Sequence, residues 1–410
     1  MKTVLIVGGG AAGMAAAITA AGQTPDIRVI LLERLDRVGK KLLATGNGRC
    51  NLTNLNAGTA HYHSAVPGEA EAILRGMEPA EALRFFEELG LRWTREDEGR
   101  IYPYCMQASM VLDVLLAALE ERGIEVVCAA PVNSIRREGE KFIVEAGRRF
   151  AADAVILCAG GRAAPKLGSD GSGYGLAKAL GHTCTPLYPA LTALCCDMRA
   201  SGGLKGIRAP AEVSLFAGET CLGARRGEVQ FTEYGLSGIA VMDLSLLMPQ
   251  GKNRPCFAEL DLFPAEEEAS LLRELRARRG RFAAQPLERF LLGTVQKRLG
   301  FALMKQAGFG ALSRRCGTLT DRELSALARL FKHWRFSVSG VQGYEQAQVA
   351  AGGVPLSEID EKTMESKLCK GLYLAGEILD MTGDCGGYNL HWAWCSGIRA
   401  GRAAGKARKA

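Results

Sequence analysis

The stretch VGGGAAGMAAAI, Val7 to Ile18, decides how this chain is read. It closes KTVLIVGG, which has the apolar character of a buried parallel strand stopped by glycine. It opens a run of small residues suited to a helix packed close on a sheet. Gly8, Gly10 and Gly13 set the pattern GxGxxG between strand and helix. There the first glycine turns the chain and the second lets the backbone approach a pyrophosphate. The third lets helix and sheet pack tightly, and the helix N-terminus faces the anion. Ala12 belongs to the same cradle. IRVILLER supplies a second buried strand ending at Glu33, 20 residues beyond Gly13. A carboxylate there accepts hydrogen bonds from ribose hydroxyls. It also repels a 2′-phosphate, which disfavours NADP and leaves FAD and NAD.

Working outward, GKKLLATGNGRCNLTN (Gly39 to Asn54) is a polar, glycine-rich loop after the second strand, where a flavoprotein loop runs beside a dinucleotide. Arg49 is placed to face the pyrophosphate, and Asn47, Asn51 and Thr53 offer hydrogen bonds. Lys41, Gly48 and Cys50 are counted with them as cofactor-binding candidates. The plain alternative is a surface loop built on an Asx turn. DAVILCAGG is another buried strand and delivers Gly160. Far along the chain, GLYLAGEILDMTGDCGGYNLHWAWCSG reads as strand, glycine-rich turn and helix, carrying Gly376, Glu377, Asp380 and Gly387. In long flavoproteins such a segment returns to the first domain and holds the ribityl chain and ring. A helix N-terminus there stabilises the charge of a reduced flavin. NAD-only dehydrogenases have no need of it, so FAD is the expected cofactor.

Between these segments the texture changes twice. VNSIRREGEKFIVEAGRRF predicts a hairpin or three-strand meander with turns at Gly139 and Gly147. From about Pro189, AEVSLFAGETCLGARRGEVQFTEYGLSG and CFAELDL alternate like a small antiparallel β-domain. Two helical stretches follow, and strands return after about Arg335. The expected division is 1–188 and 336–410 for the cofactor domain, 189–263 for a β-rich insert and 264–335 for a helical segment.

With 410 residues, 48% hydrophobic and 23% charged, the chain is an ordinary globular protein of two or three domains. MKTVLIVGGG is not a signal peptide, and no apolar run reaches the ~18 residues of a membrane span. A cytoplasmic protein without membrane partners is expected. The 13 cysteines include no CxxC, so no metal site is expected, and most read as small buried hydrophobes. The net charge of +7 is concentrated in RELRARRGRFAAQPLERF and in a tail with Arg399, Arg402, Lys406, Arg408 and Lys409. A solvated face explains this; a surface for RNA is the sharper alternative.

VGGGAAGMAAA, GKKLLATGNGRCNLTN, YPYCMQASMVLDVL, GSDGSGYGLAKALGH, GEVQFTEYGLSG and MESKLCKGLYLAGEILDMTGDCGGYNLHWAWCSG occur in order along nearly the whole chain. Together they resemble the BaiN/RdsA family of FAD-binding oxidoreductases. The resemblance implies a Rossmann-like α/β FAD domain interrupted by an antiparallel β-barrel-like domain and a small helical domain. It places the FAD pyrophosphate on Gly8 to Gly13, the adenosine ribose on Glu33 and the adenine at the backbone of Val132. Arg49 and its neighbours line the dinucleotide. Gly376, Asp380 and Gly387, Tyr388 and Asn389 surround the flavin. Many members carry large apolar residues at Asp384-Cys385 and glutamine at His391.

The family implies saturation of a carbon–carbon bond conjugated to a carbonyl, with NAD(P)H as the transient electron donor. Its members act on 3-oxo bile acids or on uracil in large-subunit ribosomal RNA. Hydride goes to the β carbon, and an acid protonates the α carbon. Cys385 and Tyr388 are the candidate catalytic residues. A small steroid-like enone is the favoured substrate partner, with ribosomal RNA second. A flavin-bearing protein without turnover is the reading from another class. GSDGSGYG (Gly168 to Gly175) reads as a loop on the substrate side of the flavin rather than a second dinucleotide site. His61, His63, His182 and His333 read as surface or core histidines. Trp392 and Trp394 read as core.

Overall fold

The structure, a computed structural model, describes residues 1–66, 68–199, 203–248 and 254–406. The chain forms two compact units, Met1–Pro189 with Ala347–Ala410, and Ala190–Gln346.

The first unit is built on a five-stranded parallel sheet. Its order is Leu372–Leu374, Ala154–Leu157, Lys2–Val7, Ile27–Leu32, Glu125–Val127. Val4 pairs with Ala154 on one side and with Val29 on the other. Val4 to Val7 and Val29 to Leu32 are buried without alternation, as a sheet covered on both faces requires. A meander of Ser134–Glu138, Lys141–Ala146 and Arg148–Ala152 turns at Gly139 and Gly147, as the sequence predicts.

The opening helix, Ala11–Ala21, packs along the closing helix, Tyr388–Gly405. A Cβ added at Gly397, Gly401 or Gly405 would meet Ala12, Ala16 or Ala20 closer than 3.0 Å. The partners advance together along both helices, so the two run parallel. Backbones come this close only where both faces carry small residues, which is why AAGMAAAITAAG is so poor in side chains.

The second unit is a closed six-stranded antiparallel barrel. Its order is Leu194–Cys196, Gly235–Ser237, Thr220–Phe231, Arg208–Ala217, Cys256–Asp261, Trp334–Val341. Arg208–Ala217 alternates inward and outward, the period-2 pattern that its sequence shows. Helices Glu268–Arg281, Lys297–Gln306 and Asp321–Lys332 join the barrel in one apolar core that includes Phe231, Phe290, Leu327, Phe331 and Trp334. The helical segment is therefore no core of its own. The division expected at 336 falls inside Trp334–Val341, the strand that closes the barrel. A strand's alternation reports that one face is buried, not which sheet it joins. Among the described residues no helix is long and apolar enough to cross a membrane.

Candidate cofactor-binding site

Gly8 stands at φ +104, and a Cβ there would run into the carbonyl of Cys158, just past the end of the neighbouring strand Ala154–Leu157. Gly13 would run into Gly8 itself. Gly10 is different: a Cβ there meets nothing within 4 Å. The turn and the packing contact are thus filled by protein, and the middle glycine faces open space. Gly10 caps the opening helix without any side-chain bond, and the first helical bond is Met14 N–H to Gly10 O. The N–H groups before it are available to an anion.

Glu33 is buried and holds this loop from below. Its Oε2 accepts the Gly9 N–H at 2.8 Å and its Oε1 accepts the Leu35 N–H at 2.8 Å. A carboxylate has about four lone-pair sites, so acceptor capacity remains for a ribose. The Ala130 N–H donates to Glu33 O and the Ala129 N–H to Leu35 O. That brings the half-buried Val132 beside the acid. GSDGSGYG also lies here. Arg34 pairs with Asp170, a Cβ at Gly168 would meet Leu35 at 3.1 Å, and one at Gly160 would meet Ser169 Oγ at 2.8 Å. The loop belongs to the Glu33 end, not to the substrate side that its sequence suggests. A glycine spacing carries no direction, and Arg34–Asp170 supplies it.

In the 39–54 loop, Gly46, Asn47, Gly48 and Cys50 all take left-handed backbone. Cys50 is fully buried, and burial pushes its thiol up to about 12. Arg49 lies over the Tyr102 ring at 4.5 Å and meets Glu96 Oε1 at 3.3 Å. Lys41 Nζ meets Glu377 Oε2 at 2.7 Å, while Glu377 Oε1 accepts the Ala350 N–H at 2.9 Å. Two residues picked separately as cofactor ligands are each other's partner, and they tie this loop to the returning segment.

The closing helix begins at Gly387, φ +101, also with no side-chain cap. A Cβ there would stand 2.7 Å from both Asn51 Oδ1 and Thr53 O. Asn389 folds back on the turn, accepting the Gly383 N–H at 2.9 Å and donating to Gly383 O at 2.8 Å. Asn54 Nδ2 donates to Gly386 O at 2.9 Å. Asp380 accepts the Ala65 N–H at 3.0 Å, and burial raises its carboxyl above the ordinary range. His391 is buried, and burial lowers its pKa by disfavouring the charged ring. Its Nε2–H donates to Met77 O at 2.9 Å, so Nδ1 accepts the Thr53 O–H at 2.9 Å. That makes it a structural link. Trp392 and Trp394 are core, as expected, donating to Gly376 O and Leu52 O.

The same turn gathers a titratable cluster that the sequence reading passed over. Asp384 meets His61 Nδ1 at 3.0 Å and His63 Nε2 at 2.7 Å. The His61 ring lies flat on Tyr388, 4.4 Å between centroids and 15° between planes. The half-buried Cys385 follows Asp384 in the turn. The overlooked signal was HYH: His61 ends a short turn, Thr59–His61, and His63 lies on the two-residue strand Tyr62–His63 that pairs with Thr382 and Gly383, next to Asp384.

Residues 2–403 match the family described as HI0933-like protein Rossmann domain. The chain belongs to this family. A relative in Clostridium scindens, a 3-dehydro-bile acid delta(4,6)-reductase, is 38% identical over 98% of this chain and 99% of its own. A ribosomal RNA dihydrouridine synthase of Escherichia coli is 29% identical over 96% of this chain and 95% of its own. In fold the chain is similar to a 3-ketosteroid-delta4-(5alpha)-dehydrogenase from Rhodococcus jostii. The TM-score is 0.50 and identity 17%, covering 99% of this chain and 97% of that one.

The first unit of this HI0933-like chain fits the FAD expected of a Rossmann-type FAD-binding fold. Ala12 is the second residue of its helix and Gly397 the tenth of its own, and the two are in contact. The closing helix therefore starts eight residues, about 12 Å, ahead of the opening one. Two uncapped helix N-termini point the same way, one above Gly10 and one beyond it. That stagger suits a pyrophosphate and, past a ribityl chain, a ring that gains negative charge. Asn51 Oδ1 and Thr382 Oγ1, near the second terminus, are buried without a hydrogen-bond partner. Buried polar atoms are ordinarily partnered, so this pair marks the turn as a place where hydrogen-bonding capacity is left open.

Proposed function

We propose that this protein is an FAD-dependent reductase that saturates a carbon–carbon double bond conjugated to a carbonyl. Its substrate is a 3-oxo-delta-4 or delta-4,6 bile-acid-type steroid, and its electrons come from NAD(P)H. The observation that carries the reading is the 38% identity, spanning 98% of the chain, to a relative with that named activity. The two staggered helix termini support it by accommodating FAD.

Gly8 to Gly13 hold the pyrophosphate and Glu33 the ribose. Arg49, Lys41, Asn47, Gly48 and Cys50 shape the loop beside the dinucleotide. Gly376, Glu377, Asp380, Gly387 and Asn389 set the turn around the ring. When bound, the flavin supplies a hydride for the carbon β to the carbonyl. The protein's own tasks are to fix the substrate, to donate a hydrogen bond to the developing enolate and to place a proton at the α carbon. Tyr388 and Cys385 stand at the head of the closing helix, as the candidates for the hydrogen bond to the enolate. NAD(P)H reaches the flavin without a second glycine fingerprint of its own.

The RNA reading draws on the 29% relative named for dihydrouridine synthesis. The arginines that would serve it are largely occupied. Arg276 and Arg279 bind Asp321, and Arg278 donates to the carbonyls of Phe290 and Leu292. Arg399 donates to the carbonyls of Ile73 and Arg75, and Arg402 pairs with Glu81. Arg408 and Lys409 lie outside the described residues. The test is to reduce the holoenzyme anaerobically with NADH or NADPH and offer each substrate. Reoxidation by a 3-oxo-delta-4 steroid is the expected result. Reoxidation by unmodified ribosomal RNA alone would overturn the steroid assignment, and reoxidation by neither would leave a binding protein.

A further inference from the structure

We propose that His61, held by Asp384 and accompanied by His63, is the acid that delivers the α-carbon proton; this rests on the reductase reading above. The carboxylate of Asp384 gives one oxygen to each ring: Oδ2 to His61 Nδ1 at 3.0 Å and Oδ1 to His63 Nε2 at 2.7 Å. This fixes both tautomers and points the opposite nitrogen of each ring away from the carboxylate. His61 Nε2 is the atom so presented. Its ring is kept from swinging by the stack on Tyr388, 4.4 Å away at 15°. Tyr388 is in turn fixed by the edge of Tyr62, whose hydroxyl donates to Tyr388 O at 3.0 Å.

The backbone enforces the arrangement. Thr382 pairs with His63 and Gly383 with Tyr62, and the Asp384 N–H donates to His61 O at 2.9 Å. The Asp384 side chain is 8% exposed, while those of His61 and His63 are 37% and 36% exposed. A shielded carboxylate thus carries two rings that reach water, at the head of the helix whose N-terminus faces the ring site. This is the geometry of a rechargeable proton donor, with Asp384 offsetting the imidazolium charge while His61 carries the proton.

The step balances. FAD held by Gly8 to Gly13 and the Gly387 turn would supply a hydride, with its electron pair, for the β carbon, and the carbonyl oxygen would then bear the enolate charge. The α carbon then takes the proton from His61 Nε2–H, so one C–H bond forms as one N–H bond breaks. His61, left neutral, regains a proton from water. His63 and Asp384 act as positioning residues.

Two measurements on the flavin-loaded protein test this. One is single-turnover reoxidation by a 3-oxo-delta-4 steroid after anaerobic reduction with NAD(P)H. The other needs no electron transfer: washout of α-deuterium from the saturated 3-oxo product by the oxidised holoenzyme. His61→Gln should slow both at least ~100-fold, the lower end of general acid–base contributions. His61→Phe keeps a flat ring on Tyr388 but has no nitrogen, and should lose as much. Asp384→Asn should also slow washout. Flavin absorbance per protein reports folding in each variant. Washout within twofold of the unaltered protein in both His61 variants would overturn the proposal, as would recovery in His61→Phe alone, which would mean packing. If the unaltered protein is not reoxidised by the steroid, the reductase reading falls and this proposal with it. If it is reoxidised while the His61 variants match it, only this proposal falls.

Discussion

Glu33 does two jobs with one carboxylate. Its distance from Gly13 marks it as a ribose acceptor, and it also receives the Gly9 and Leu35 N–H groups. Hydrogen bonds to a charged group contribute about 1.5–3 kcal/mol each. Glu33→Ala should therefore weaken FAD binding by at least ~10-fold, measured by fluorescence titration of apoprotein. Unchanged affinity would sink the cradle assignment. At His391 the expected outcome depends on the replacement. Glutamine retains a donor for Met77 O and an acceptor for Thr53, and the melting temperature should hardly move. Leucine leaves both groups buried and unmet, at ~1–3 kcal/mol apiece, and should lower it by several degrees. Glu33 was legible because the glycine motif fixes where to look. His61 and His63 were not, because their partner Asp384 lies at the other end of the chain and no local pattern announces it.

Among the elements, the seam of alanines against glycines is the most exacting. Gly401 faces Ala16 with no room for a Cβ. Gly401→Val should cost about 1–3 kcal/mol of overpacking and reduce flavin content, because shifting the closing helix displaces Gly387 from Asn51. Thermal melting with a flavin assay checks both. In the barrel unit, the helix Asp321–Lys332 starts in a capping box between Thr320 and Glu323. The Arg314 guanidinium grips Glu323 through two bonds and holds its carboxyl at about 2, against an ordinary 4.5. A lowered carboxyl stabilises the fold above its ordinary value and loses that contribution as pH falls toward the lowered one. Glu323→Gln should thus melt earlier at pH 7, and the gap should close between pH ~5 and ~2. A gap unchanged at low pH would contradict the ion pair. Element types were readable from periodicity; membership was not. Trp334–Val341 looks like any alternating strand, and only pairing with Cys256–Asp261 and Leu194–Cys196 makes it the barrel's closure.

At the scale of the whole molecule, charge is the property most easily misjudged from composition. A net +7 with an arginine-rich helix reads as a footprint for nucleic acid, yet Arg276, Arg278 and Arg279 are spent on Asp321 and on carbonyls within their own unit. Reoxidation by a steroid with at most one carboxylate should accordingly change less than about twofold between ~50 and ~200 mM salt. An RNA substrate would lose binding steeply as counterions compete. A steep salt slope with the steroid would count against the small-molecule assignment. The bipartite plan was visible in the sequence because the parallel strands are uniformly apolar and the barrel strands alternate. The shared core of barrel and helices was not, since contact between helix and barrel leaves no periodic trace. The alanine–glycine seam has one more consequence, for biosynthesis. The opening helix, Ala11–Ala21, is translated long before the helix it must lie against, Tyr388–Gly405. During translation the phosphate cradle waits without its lining, and the barrel unit is complete before the partner helix exists. Cofactor capture is thus deferred until the nascent chain has laid these two distant helices together.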